Sequence, residues 1–225
     1  MSIASNVETT QNRIAKAALS AGRKPEDVTL VAVTKTVGVP QAQEVYSAGV
    51  HHLGENRVQV FLDKYAEMGD VPHWHLIGHL QTNKVKYIVG KVGLIHSVDT
   101  LHLAEEISKK ALSLGVCQNI LMQFNISGEE SKSGATADEA KRLLEAVSEL
   151  KGVSVQGLMT MAPIGVGTDE NRRIFAALKT LSEKIDAEKF AGVSMKQLSM
   201  GMSGDFEDAI KEGATLVRVG TALFK

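Results

Sequence analysis

The sequence predicts an α/β fold: a single (β/α)8 TIM-type barrel with an extra N-terminal helix. Two observations support this. Short β-rich runs alternate with helical segments along the chain, and there are eight of them. No hairpin turn joins one run to the next, so the strands are expected to lie parallel, each reached by a helical crossover. Eight is also the number that closes into a barrel with a packed interior. An open, doubly wound sheet uses the same alternation and stands as the alternative at this point. With no linker, internal repeat or low-complexity stretch, the 225 residues read as one domain, 1–225.

An amphipathic helix is expected over residues 5–21, stopped by Gly22 with Pro25 just beyond. VTLVAVTK (28–35) is β-branched and nearly all apolar, as a strand covered on both faces should be. Pro40 suits the first turn of a helix that continues through AQEVYSAG. VHHLGEN (50–56) leads into the helix NRVQVFLDKYAEM, and HWHLIG (73–78) into a helix near TNKVKYIV. VGLIHSVD (92–99) precedes LHLAEEISKKALSLG, whose apolar positions recur at helical spacing. NILMQFNI (119–126) is followed by a polar loop, SGEESKSG, and the helix ADEAKRLLEAVSEL. VSVQGLMTMAP (153–163), KQLSMGMS (196–203) and TLVRVGTALF (215–224) complete the eight, separated by helices over DENRRIFAALKTLSEKI and DFEDAIKEG.

Apolar residues make up 44% of the chain and charged residues 23%, and Lys+Arg (25) nearly balance Asp+Glu (26) for a net charge of -1. The clustered positive excess that nucleic acid or an anionic membrane would need is missing, whereas a small anionic ligand in a local pocket is compatible. Cys117 is the one cysteine, so neither an intramolecular disulfide nor a thiolate metal cluster can form, which suits a reducing cytosol. The N-terminus lacks the pattern of a signal peptide, and no apolar stretch nears the ~20 residues of a membrane-spanning helix. A cytoplasmic location without a membrane partner is expected.

In a barrel, chemistry gathers at the C-terminal ends of the strands. Here those ends carry Lys35, Gly54-Glu55-Asn56, Gly78-His79, Asp99, Asn125, Thr160, Ser199 to Ser203, and Arg218 to Thr221. Val31, Val33 and Lys35 share a strand face. If that face points inward, desolvation disfavours the ammonium form and makes the amine nucleophilic toward an aldehyde. Taken alone, the position better fits a strand-terminal lysine whose stem packs while its head reaches water.

The seventh strand shifts that balance. Ser199-Met200-Gly201-Met202-Ser203-Gly204-Asp205 brings two glycines and two hydroxyls to the start of a helix, where backbone N–H groups can approach an anion. Strand eight ends in Gly220-Thr221, and barrels often hold phosphate between the loops after strands seven and eight. Arg218 shares a face with Gly220 and must find an acceptor, with Glu55 or Asp99 as the structural alternative to a ligand. His73 and His75 could meet on a metal. No third ligand or carboxylate base stands at a recognised spacing, so no metal site is expected. Trp74, between them, reads as a packing residue.

These segments together resemble the pyridoxal phosphate homeostasis protein family. The likeness covers nearly the whole chain, through VAVTKT (31–36), HHLGENRVQ (51–59), HWHLIGHLQTNK (73–84), SVDT (97–100), NISGEESKSG (125–134), GLMTMAP (157–163) and LSMGMSGDFEDAIKEGATLVRVGTALF (198–224). The resemblance implies a barrel like the N-terminal one of bacterial alanine racemase and eukaryotic ornithine decarboxylase. It implies pyridoxal 5'-phosphate (PLP) as cofactor, held as a Schiff base on Lys35. Ser199, Ser203, Gly220 and Thr221, with the backbone of neighbours such as Met200 and Gly201, correspond to the phosphate cradle. Arg218 corresponds to the arginine facing the pyridine nitrogen, and Asn56 to a residue lining the cofactor. An arginine there opposes protonation of the ring and weakens carbanion stabilisation. The chain stops at Phe224-Lys225, where family members usually have a glycine and often a few more residues.

The implied function is intracellular PLP (vitamin B6) homeostasis without robust catalysis, carried out by a monomer with PLP-requiring apo-enzymes as partners. Eight strands use up the chain, leaving nothing for the second, β-rich domain with which racemase-like relatives dimerise. No catalytic residue is therefore expected. A PLP-dependent amino-acid racemase, with Lys35 and a residue such as His79 as its two bases, is the rival reading. A metal-dependent hydrolase barrel is a more distant one.

Overall fold

In the computed structural model, which describes residues 2–128 and 134–225, the β-branched and aliphatic runs form eight strands. They are β1 (Thr29–Val33), β2 (His52–Glu55), β3 (His73–Leu76), β4 (Leu94–Val98), β5 (Gln118–Gln123), β6 (Val153–Met159), β7 (Val193–Met202) and β8 (Leu216–Val219). Each pairs in parallel with the next, and β8 returns to β1 through Thr29↔Leu216 and Val31↔Arg218. The sheet is therefore a closed barrel, which removes the open doubly wound alternative.

The described helices are α1 (Ile3–Ser20), α2 (Val39–Ser47), α3 (Val58–Met68), α4 (Val85–Ile88), α5 (Leu101–Ser113), α6 (Ala140–Ser148), α7 (Thr168–Glu188), α8 (Phe206–Lys211) and α9 (Thr221–Phe224). α1 is the extra N-terminal helix. Ser2 caps it by accepting a hydrogen bond from the Ser5 amide at 3.2 Å, and its apolar stripe of Val7, Ile14, Ala17 and Ala18 is buried. It lies against α8 and α9, two short helices that would leave that part of the barrel wall thinly covered. The Asn6 amide donates to the carbonyls of Leu223 (3.2 Å) and Lys225 (2.9 Å), tying the first helix to the last residues.

Apolar side chains form two clusters. The larger fills the space between helices and the outer face of the barrel, with Leu30, Ala32, Leu53, Trp74, Leu76 and Ile95 among its members. The smaller lies inside the barrel and comprises Val31, Leu94, Leu121, Met159 and Leu216. Arg218, opposite Val31 on β8, shares this interior.

Several element boundaries differ from the sequence reading. β8 stops at Val219, and Thr221–Phe224 forms a helical turn where strand was expected; a short apolar run such as ALF suits either state. β6 stops at Met159 rather than Pro163, since proline has no amide for a ladder. The helix near TNKVKYIV is a 3₁₀ turn, Thr82–Lys84, leading into the single turn of α4. Residues 129–133 of the polar SGEESKSG loop lie outside the described residues.

Candidate functional site

At the C-terminal end of β1 the chain leaves the barrel through Thr34, which is held by three groups. Its amide donates to the Gly54 carbonyl (3.1 Å), and its hydroxyl donates to the Glu55 carboxylate. Its carbonyl accepts from Lys64 Nζ at 2.5 Å, and the same ammonium lies 2.5 Å from Glu55 Oε1. Lys64 sits three residues after Phe61 on the inward side of α3, so both side chains point at the barrel. Lys64 and Glu55 are almost completely buried, and Glu55 Oε2 has no partner among the described residues. Lys35, the next residue, thus springs from a fixed root.

Lys35 itself is exposed in a turn. The expectation of a desolvated amine on the Val31–Val33 face is corrected: β1 ends at Val33, so strand alternation does not reach residue 35. The end of β1 abuts the loop after β8, because a Cβ on Gly220 would lie 3.1 Å from the Val33 carbonyl oxygen. The Gly220 amide donates to Ser203 Oγ at 3.2 Å, joining the loops after β7 and β8. Thr221 is exposed at the start of α9, and Ser203 accepts from Gly220 while keeping its own hydroxyl hydrogen to give. Ser203 and Gly220 therefore meet where the loops after β7 and β8 join, and the Val33 end of β1, two residues before Lys35, lies against Gly220.

Other expected cradle residues have different surroundings. Met200 is fully buried in the outer core. Gly201 has φ 89°, and a Cβ there would lie 2.6 Å from Ala209 Cβ, so glycine is required by the packing of α8. Both shape the turn and offer a ligand only backbone. Ser199 faces the barrel interior, fully buried, accepting from Arg218 and lying 2.8 Å from His96 Nδ1. Its hydroxyl is committed there rather than to the turn after β7, which corrects the phosphate role expected of it.

Arg218 also donates to the Thr160 carbonyl at 2.9 Å. Burial pulls its guanidinium down to about 10, opposed by the charge of Asp205, so it stays cationic at neutral pH. Neither carboxylate suggested by the sequence holds it; Glu55 is engaged by Lys64 instead. Asp205, whose Oδ1 accepts from the Met202 amide at 2.5 Å, is pushed up by burial. Asn56, just after β2, is half-buried, and its Oδ1 is buried without a partner among the described residues. A buried acceptor of this kind leaves a place for a ligand donor.

Sequence reasoning missed a file of imidazoles inside the barrel. His52 Nδ1 lies 2.9 Å from His75 Nε2, and His75 Nδ1 lies 2.8 Å from His96 Nε2. The signal was present as histidines on three successive strands, β2, β3 and β4. His75 spends both ring nitrogens on neighbouring imidazoles, which leaves none for a metal. Trp74 packs edge-on to Phe61 and donates to the Gly69 carbonyl at 2.9 Å, as a packing residue should.

Burial, with smaller contributions from His52 and His73, pushes His75 down to about 3; burial, His75 and Arg218 hold His96 well below its ordinary value of 6.5. Both rings are neutral when folded and take up protons near 6.5 when unfolded, so the unfolded state binds more protons below that pH. The stability present above pH 6.5 is then lost as pH falls toward 3. His75 is expected to remove about 1.4 kcal/mol per pH unit in the lower part of this window, and His96 acts in the same direction. Urea unfolding from about pH 7 to about pH 4.5 tests this, and a midpoint that does not move would contradict it.

The family described as "Alanine racemase, N-terminal domain" matches residues 3–225. A protein named "Pyridoxal phosphate homeostasis protein" from Aquifex aeolicus is 46% identical over 213 residues, spanning 94% of this chain and 92% of that one. The structure of PipY from Synechococcus elongatus, described with PLP bound, is 37% identical with a TM-score of 0.83, covering 94% of this chain and 100% of PipY. Alanine racemase from Clostridium difficile is 18% identical with a TM-score of 0.78, covering 98% of this chain and 56% of that one, and shares the fold alone. The barrel, its clustered strand ends and these matches together establish that the chain belongs to the pyridoxal phosphate homeostasis protein family.

Proposed function

We propose that this chain is a single-domain PLP carrier that holds the cofactor on Lys35, acting as a cytosolic monomer in vitamin B6 homeostasis without robust turnover. The observation that supports this reading is that the loops carrying Ser203 and Gly220 join against the end of β1, two residues before Lys35. The naming of its relatives and the PLP described in PipY support it.

PLP supplies an aldehyde that condenses with a primary amine, and an electron-withdrawing ring. Lys35 provides the amine. Ser203 would offer its hydroxyl hydrogen to the phosphate, with Gly220 and Thr221 on the adjoining loop after β8 and with Met200 and Gly201 fixing the shape of the turn after β7. Asn56 has a free acceptor for a cofactor hydroxyl. Arg218 keeps its proton at neutral pH and so opposes protonation of a ring nitrogen placed beside it. The exposure of Lys35 supports transfer, because an incoming amine or a PLP-requiring apo-enzyme can reach it.

Borohydride reduction of the PLP-loaded protein, followed by peptide mapping, is expected to place the label on Lys35. A label on another lysine would overturn the assignment. Incubation with L- and D-amino acids separates carrier from racemase: sustained turnover that Lys35→Ala abolishes would sink the carrier reading.

A further inference from the structure

Arg218 sits at one end of a continuous run of hydrogen bonds that crosses the barrel interior. From it the contacts pass to Ser199 Oγ, to His96 Nδ1 (2.8 Å), from His96 Nε2 to His75 Nδ1 (2.8 Å), and from His75 Nε2 to His52 Nδ1 (2.9 Å). Arg218, Ser199, His96 and His75 are buried, whereas half-buried His52 borders a cavity of about 460 Å³ shared with His51, His73 and Glu26. We propose that Ser199, His96, His75 and His52 are positioning residues for Arg218, forming a column of one hydrogen-bond direction that fixes the heading of its guanidinium.

The direction follows from donor counting. An arginine can only donate, so Ser199 Oγ accepts from it. The Ser199 hydroxyl hydrogen is then buried with His96 Nδ1 as its acceptor, and leaving it unpaired would be costly. A neutral imidazole has one N–H, so an accepting Nδ1 puts the hydrogen on Nε2. His96 Nε2–H must donate to His75, and His75 Nε2–H must donate to His52. All three rings are thereby assigned the Nε2–H form. Burial keeps the two inner rings neutral, as this requires. With Thr160 accepting from its other terminal nitrogen, Arg218 is held at two points. That the fixed guanidinium serves a cofactor ring rests on the PLP reading above; the column itself does not.

The test uses the full chain with 15N-labelled histidine and arginine. In the PLP-free protein near neutral pH, His52, His75 and His96 are expected as Nε2–H tautomers, and the Arg218 guanidinium N–H signals as separate and slowly exchanging. An Nδ1–H form at His96 or His75 would overturn the column. Ser199→Ala is expected to mix the His96 tautomers and average the Arg218 signals. In the loaded protein it should also shift the visible band of bound PLP and weaken PLP binding about tenfold, as expected for losing one hydrogen bond to a charged group. His75→Gln, whose amide both accepts and donates, should keep His96 as Nε2–H and stay within about twofold of the parent for PLP. Unchanged Arg218 signals in Ser199→Ala would overturn the positioning role. Absence of PLP uptake by the parent protein would sink the carrier reading, while the tautomers and Arg218 signals still decide the column.

Discussion

Lys35→Ala is expected to abolish retention of PLP through dialysis and to remove the visible band of the loaded protein. On the proposed reading Ser203, Gly220, Thr221 and Arg218 would bind without a covalent link, so affinity should fall by at least about 100-fold, ~2.7 kcal/mol. Folding should be unaffected, since the Lys35 side chain is exposed and the fixed element of its turn is Thr34. Lys35→Arg should fail equally, because a guanidinium is always protonated and does not condense with an aldehyde. Dialysis followed by absorbance measures this directly, and a Lys35→Ala protein that stays coloured would refute the assignment.

Lys64→Met is expected to have the largest effect on stability. Lys64 holds a buried pair with Glu55 and donates to the Thr34 carbonyl, both at 2.5 Å. Its removal leaves Glu55 buried without a counter-charge, on an oxygen pair of which one already lacks a partner among the described residues. Breaking such a pair costs about 3–5 kcal/mol, whereas exchanging both partners for apolar residues is close to neutral. Urea unfolding should therefore show a large loss for Lys64→Met and recovery of most of it in Lys64→Met/Glu55→Leu. PLP affinity should fall in the single variant as well, because the root of Lys35 loosens. A loss below about 1 kcal/mol in the single variant would remove the clamp from the account of this site.

The fold was legible because each strand of a parallel barrel is covered on both faces and so appears as an uninterrupted apolar run, such as VTLVAV. Strand ends were less legible. The ALF of residues 222–224 suits a strand or a helical turn, and in the fold it forms α9. Lys35, Ser203, Gly220, Thr221 and Arg218 stood out as candidates in the sequence because polar and glycine residues at strand ends contrast with apolar runs. Ser199 was assigned to the wrong neighbourhood: it lies four residues before Ser203, inside the strand, and its parity turns it inward toward Arg218.

The eight-strand alternation, the extra first helix and the family motifs are properties of local pattern, and the chain states them in order. Which polar groups meet is a property of barrel closure. Closure brings β1 against β8, residues nearly two hundred positions apart, and so sets Val33, two residues before Lys35, beside Gly220. It also aligns histidines of three strands with Ser199 and Arg218. No linear spacing encodes these contacts, because the register between strands is set by packing and hydrogen bonding around the whole ring.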